Sequence, residues 1–176
     1  MAQKTSQQER LGLERARALA IVCLTRRSDL VVREETTDIG IDLLVSVHPE
    51  DKEGLRLFGV ELRQGWAAGT ADSASAGLGP SMRKMLRYGQ FPFPVVVFLF
   101  TMEDNQGWYT WVAEPVIAKD GTMILQQHGK AHCRPLDERA VDEIVETVDG
   151  WYDAFFATNS AENSTRDKSK SSNAHH

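Results

Sequence analysis

The sequence predicts an α/β protein in which a mixed β-sheet is flanked by helices, and three observations lead there. Apolar residues recur at helical spacing near both ends of the chain, over residues 6–25 and 137–157. Between them, residues 38–47 and 57–64 alternate with the period of two around a charged turn, the pattern of a hairpin. Residues 93–100 are then apolar almost without a break, as suits a strand buried on both faces. The element order is helix, strand, hairpin, helix, buried strand, hairpin, helix. At 176 residues the chain suits a single domain with a core of ordinary size. That domain is assigned to residues 1–157. Residues 158–176 are dominated by Ser, Asn, Asp and Lys, offer nothing apolar to bury, and are expected to form a disordered tail.

In the first helix the expected apolar stripe is Leu11, Leu13, Ala16, Ala18, Leu19, Val22 and Cys23, with Thr5 or Ser6 as N-cap. Glu9, Arg10, Glu14, Arg15 and Arg17 occupy much of the remaining surface. Residues 29–35 read as a short strand. In the hairpin's first strand Ile39, Ile41, Leu43, Val45 and Val47 alternate with Asp38, Gly40, Asp42, Leu44 and Ser46. In its second, Phe58, Val60 and Leu62 share one face while Gly59, Glu61 and Arg63 share the other. A turn centred between Asp51 and Lys52 sets Asp42 opposite Glu61. Like charges in direct opposition destabilise a sheet, so this pair calls for a compensating charge, and a divalent cation is the obvious one.

Residues 65–80, rich in Gly, Ala, Ser and Thr, are expected to be a flexible loop. Ser81 is placed to cap a short helix reaching Tyr88 and bearing Arg83, Lys84 and Arg87, a candidate phosphate-contacting face. After the buried strand, the turn Asp104-Asn105-Gln106-Gly107 leads into a strand at 108–112, with another at 122–127. The last helix is carried by Val141, Ile144, Val145, Val148, Tyr152 and Phe155. Gly150 weakens it by about 1 kcal/mol relative to Ala and marks an expected kink or break.

No apolar run reaches the roughly 18 residues of a membrane span, and residues 1–8 lack the apolar core of a signal peptide. Cys23 and Cys133 make no disulfide framework, which points to reduced thiols and a cytoplasmic location. A net charge of −5 argues against coating nucleic acid by bulk electrostatics. It leaves room for an enzyme with a local basic rim, because carboxylates at a metal site add to the acidic count. His128, His132 and Cys133 lie close in sequence, but no second Cys/His cluster completes a zinc site.

A helix, then Asp on a hairpin's first strand, then Glu-x-Arg on its second, followed by helix and strand, resembles the core order of the PD-(D/E)xK nuclease superfamily. Thr37-Asp38-Ile39-Gly40-Ile41-Asp42-Leu43 is similar to the D-x-G-x-D-hydrophobic signature of its DUF4365-type branch. So are Arg87-Tyr88, the run Phe93-Pro94-Val95-Val96-Val97, and Trp108-Tyr109-Thr110-Trp111. The similarity covers roughly residues 8–115. It implies a restriction-endonuclease-like core of αβββαβ order, with a hairpin and helix added at its C-terminal side. It also implies a Mg²⁺- or Mn²⁺-dependent nuclease acting on DNA in phage defence, restriction or repair, as a homodimer or in a larger complex. By this resemblance Asp42 and Glu61 are metal ligands, Leu62 adds its carbonyl, and Glu14 matches a first-helix carboxylate. Gln64, Arg83, Lys84 and Arg87 are then candidates for substrate contact.

Arg63 stands where the family has Lys. With a pKa above about 12 an arginine stabilises phosphate charge but does not deprotonate water. Asp38 lies about 13 Å from Asp42 along an extended strand, too far to share an ion with it, and reads as structural or substrate-facing. Two further readings accompany the nuclease: a catalytically lapsed member of the fold that binds nucleic acid or protein, and a pure interaction protein without metal.

Overall fold

The computed structural model describes residues 2–37, 40–65, 69–76, 78 and 91–172, with side chains from residue 7 to residue 159. Helix α1 (Ala2–Leu24) is followed by β1 (Leu30–Glu34), β2 (Leu43–Val47) and β3 (Arg56–Gly65). A helical turn, α2, occupies 71–76. Then come β4 (Val95–Thr101), β5 (Gly107–Ile117), β6 (Met123–Gln127), β7 (Arg134–Pro135) and α3 (Glu138–Ser172). The protein is α/β, with a mixed open sheet of order β1-β2-β3-β4-β5-β6 and β7 paired to β5. Among the described residues β3 and β4 run parallel, and the other strand pairs are antiparallel.

Each sheet face has its own core. Leu43, Val45, Phe58, Val60, Leu62, Val96 and Phe98 pack against Ala16, Ala20 and Leu24 of α1 and Val141, Ile144 and Val148 of α3. On the opposite face Val95, Val97, Leu99, Trp108 and Val112 meet Ile41, Ala74, Leu78, Ala131 and Cys133. All seven residues of β4 are buried, which is what its unbroken apolar run requires. Trp111 packs into the first core.

Several elements depart from the sequence expectation. The buried seam of α1 is Gly12, Ala16, Ala20 and Leu24, whereas Leu11, Ala18 and Val22 face solvent. Small residues four apart let the helix backbone approach the sheet closely, and that contact outweighs the larger apolar side chains. The stretch expected as a loop contains α2, whose start is closed by reciprocal bonds between Thr70 and Ser73 and which buries Ala74. Helix α3 is continuous through Gly150, because Val148, Trp151 and Tyr152 are buried on either side and outweigh one glycine. It extends past 157 to Ser172, into the polar stretch read as a tail; elongating an existing helix needs no new nucleus. β5 reaches Ile117, well beyond the expected 112. Asp38 and the expected basic helix with Arg83, Lys84 and Arg87 fall outside the described residues.

Candidate functional site

The hairpin register is the one the turn predicts: Leu43 pairs with Val60, Leu44 with Gly59 and Val45 with Phe58. Extended by one residue it would oppose Asp42 to Glu61. The ladder changes at that point. The Asp42 N–H donates to the Val60 carbonyl at 2.8 Å, and the Asp42 carbonyl accepts from Glu35 N–H at 2.9 Å. The side chain takes over the next bond, with Asp42 Oδ2 accepting from Leu62 N–H at 2.7 Å. A carboxylate therefore replaces a backbone acceptor where β2 begins.

Glu61 is only 2% exposed, on the sheet face shared with Val97 of β4. Burying a carboxylate in such surroundings is costly unless it is paired. Its partner is Arg63, two residues along the strand, whose guanidinium forms an ion pair with Glu61 Oε1. The same guanidinium donates from Nη1 to the Leu62 carbonyl at 2.8 Å. Burial pushes the Arg63 pKa below its ordinary value, and the nearby Asp42 charge opposes that shift. Glu61 Oε2 is buried and has no hydrogen-bond partner among the described residues. Among the described residues the site thus brings together two carboxylates, one of them with an orphaned oxygen, one carbonyl and one guanidinium.

Of the residues expected at a site, Asp42, Glu61, Leu62 and Arg63 come together. Gln64 is turned onto α1, where its Nε2 donates to the Glu9 carbonyl at 2.9 Å. A Cβ on Gly12 would collide with that Gln64 side chain, so the glycine admits β3 to the helix. Glu14 is exposed and pairs with Arg17 at 3.1 Å; Arg17 in turn reaches Glu34 at 3.7 Å. Glu14 thus pairs with a neighbouring arginine of its own helix. Arg83, Lys84 and Arg87 lie outside the described residues.

Hard oxygen donors of this kind suit Mg²⁺, which is held by one or two carboxylates with water and substrate phosphate completing its shell. The orphaned Glu61 Oε2 and the Asp42 carboxylate fit such an ion; the Leu62 carbonyl and Glu61 Oε1 are engaged by Arg63. Among the described residues no group of three or more His, Cys, Asp and Glu side chains is arranged to hold a metal. Among the described residues, the side chains that an ion at this position could use are those of Asp42 and Glu61.

A concavity of about 200 Å³ lies along β5 and is lined by Tyr109, Trp111, Glu114, His128, Lys130 and Arg134 among others. His128 Nε2 meets Glu114 Oε2 at 2.6 Å. Glu114 was invisible as a site residue in the sequence; its one signal was a carboxylate between Ala113 and Pro115 in an otherwise apolar strand.

Comparison with protein-family models, with curated proteins and with solved structures finds no match. Among the described residues, no helix is long and apolar enough to cross a membrane.

Proposed function

We propose that this protein is a metal-dependent nuclease with a restriction-endonuclease-like core that hydrolyses phosphodiester bonds of DNA, in phage defence, restriction or repair. The observation that carries the reading is that Asp42 accepts from the Leu62 amide, next to Glu61 in the strand, while Glu61 Oε2 is buried and lacks a partner among the described residues. Asp42 and Glu61 would hold Mg²⁺ or Mn²⁺, and such an ion, when bound, supplies activated water and neutralises phosphate charge. Asp42 is pre-positioned by its bond to the Leu62 amide. Arg63 supplies a cation suited to a phosphate oxygen and leaves proton abstraction to another group. Glu14, exposed and paired with Arg17, is given no part in this site.

The test is Mg²⁺- or Mn²⁺-dependent cleavage of single- and double-stranded DNA by the purified protein. Activity should fall at least about a hundredfold in Asp42→Asn and in Glu61→Gln, the scale of losing one main source of charge stabilisation. Asp42→Asn keeps an acceptor for Leu62 N–H, so its loss reports chemistry rather than folding. Cleavage that survives both substitutions rules the reading out.

A second reading is favoured by one observation: Arg63 already binds Glu61 and the Leu62 carbonyl. In it the chain is a catalytically lapsed member of the fold that binds nucleic acid or protein. DNA binding unchanged in Glu61→Gln, with no turnover by either form, supports that alternative.

A further inference from the structure

We propose that Arg63 is the resident counter-ion of the acidic site, and that its guanidinium and a divalent ion are alternative occupants of Glu61 and the Leu62 carbonyl. The inference rests on the metal reading above and concerns how that site is regulated. Arg63 engages one oxygen of Glu61 and the carbonyl of Leu62, and it feels the charge of Asp42. These are the three groups to which an ion at this position would bind. Two cations cannot share them at contact distance, because like charges repel steeply where water is scarce. The arginine also explains how a carboxylate only 2% exposed persists without metal.

Arg63 is suited to leave. Its side chain is 31% exposed while that of Glu61 is 3% exposed, so the guanidinium has a path to solvent that the carboxylate lacks. An ion drawing on Asp42, Glu61 and the Leu62 carbonyl would displace a planar, permanently charged donor, the guanidinium, from Glu61 Oε1 and from that carbonyl. That donor has the geometry to bind two oxygens of a phosphodiester. Metal and phosphate then support each other: metal releases the arginine, and a phosphate that holds the released arginine lowers the cost of metal entry. By linkage the coupling is reciprocal.

The experiment measures Mn²⁺ affinity by calorimetry for the wild-type chain and for Arg63→Met, which keeps much of the side-chain bulk without the charge. In parallel, the Arg63 side-chain ¹⁵N resonances of the wild-type protein are followed during Mg²⁺ titration. We expect Mn²⁺ to bind Arg63→Met at least tenfold more tightly. We also expect the wild-type Arg63 signal to shift from its metal-free position with the midpoint of Mg²⁺ binding. Equal affinities overturn the proposal. So does an Arg63 signal that stays put at saturating Mg²⁺, a result that stands even where Arg63→Met fails to fold. Absence of ion binding in both proteins overturns it together with the metal reading. Ion binding that displaces Arg63 without cleavage of any DNA leaves the exchange standing and removes only the nuclease; cleavage with an unmoved Arg63 does the reverse.

Discussion

Asp42 has a structural task that is separable from any chemistry. Its Oδ2 is the acceptor for the Leu62 amide in a place where the strand ladder has none to offer. Replacing Asp42 by Ala should therefore cost about 1–3 kcal/mol, the range for stranding a buried donor, whereas Asn should lose less. Urea denaturation of the two variants measures the difference, and equal losses would mean that the amide finds another acceptor. Glu61 and Arg63 show the opposite asymmetry. Removing the guanidinium leaves a carboxylate buried without its counter-charge, so Arg63→Met should lose about 3–5 kcal/mol in metal-free buffer. Combining Arg63→Met with Glu61→Gln should recover most of that loss, because no charge is then left buried alone. Both carboxylates and the arginine could be picked out from strand periodicity alone. The bond from Asp42 to Leu62 could not, because it depends on a local change in the ladder that periodicity does not encode.

The elements are joined by contacts that no single segment announces. Helix α1 approaches β3 through Gly12, whose missing side chain is the space that Gln64 fills. Gly12→Val should destabilise by about 1–3 kcal/mol through overpacking, and the paired change Gly12→Val with Gln64→Ala should relieve it. A second joint ties the start of β3 to α3. Arg56, 2% exposed, reaches Asp149 at 2.8 Å and Asp153 at 2.9 Å, and lies over the Phe156 ring at 5.3 Å. Lys52 in the turn before it binds the same two carboxylates. Arg56→Ala should cost about 3 kcal/mol, as removal of one member of a buried ion pair does. An unchanged denaturation midpoint would show that Lys52 compensates. In the sequence, Arg56 stood as an ordinary residue beside a charged turn, since its burial is created by a helix far along the chain.

At the scale of the whole molecule, charge pairs link the ends of the chain, and they set a pH dependence. Arg27 forms two hydrogen bonds to Asp29, at 3.0 and 2.7 Å, and holds its carboxyl below the ordinary value. Lys52, followed by Arg56, does the same to Asp153. A folded pKa below the unfolded one means stabilisation that is present above the unfolded value, near 3.9, and lost as pH falls through the folded value. The melting temperature should therefore drop as pH is lowered from about 5 towards 2. Asp29→Asn should flatten part of that drop while lowering stability at neutral pH. A melting curve for Asp29→Asn that falls with acid as steeply as the wild type would remove Arg27–Asp29 from the account. Arg27 also pairs with Asp142, and Arg26 with Glu138 at 2.5 Å, so the end of α1 is tied to the start of α3.

What the sequence by itself determined follows from short-range periodicity. It specified the α/β class, the two long helices, the unbroken core strand and the hairpin register that brings Asp42 near Glu61. These depend on residues a few positions apart, and the side chains alternate or recur with the geometry of the element that carries them. Tertiary structure decided the rest. It selected the small-residue seam of α1 over its larger apolar residues, carried α3 through Gly150, and capped a helical turn where composition suggested only a loop. It left Glu14 with Arg17 and turned Gln64 onto α1. It also set Arg63 against Glu61 and the Leu62 carbonyl. The physical reason is common to all of these: burial and the pairing of polar groups are settled by whichever distant segment arrives beside them, and their energies exceed the local preferences that a sequence displays.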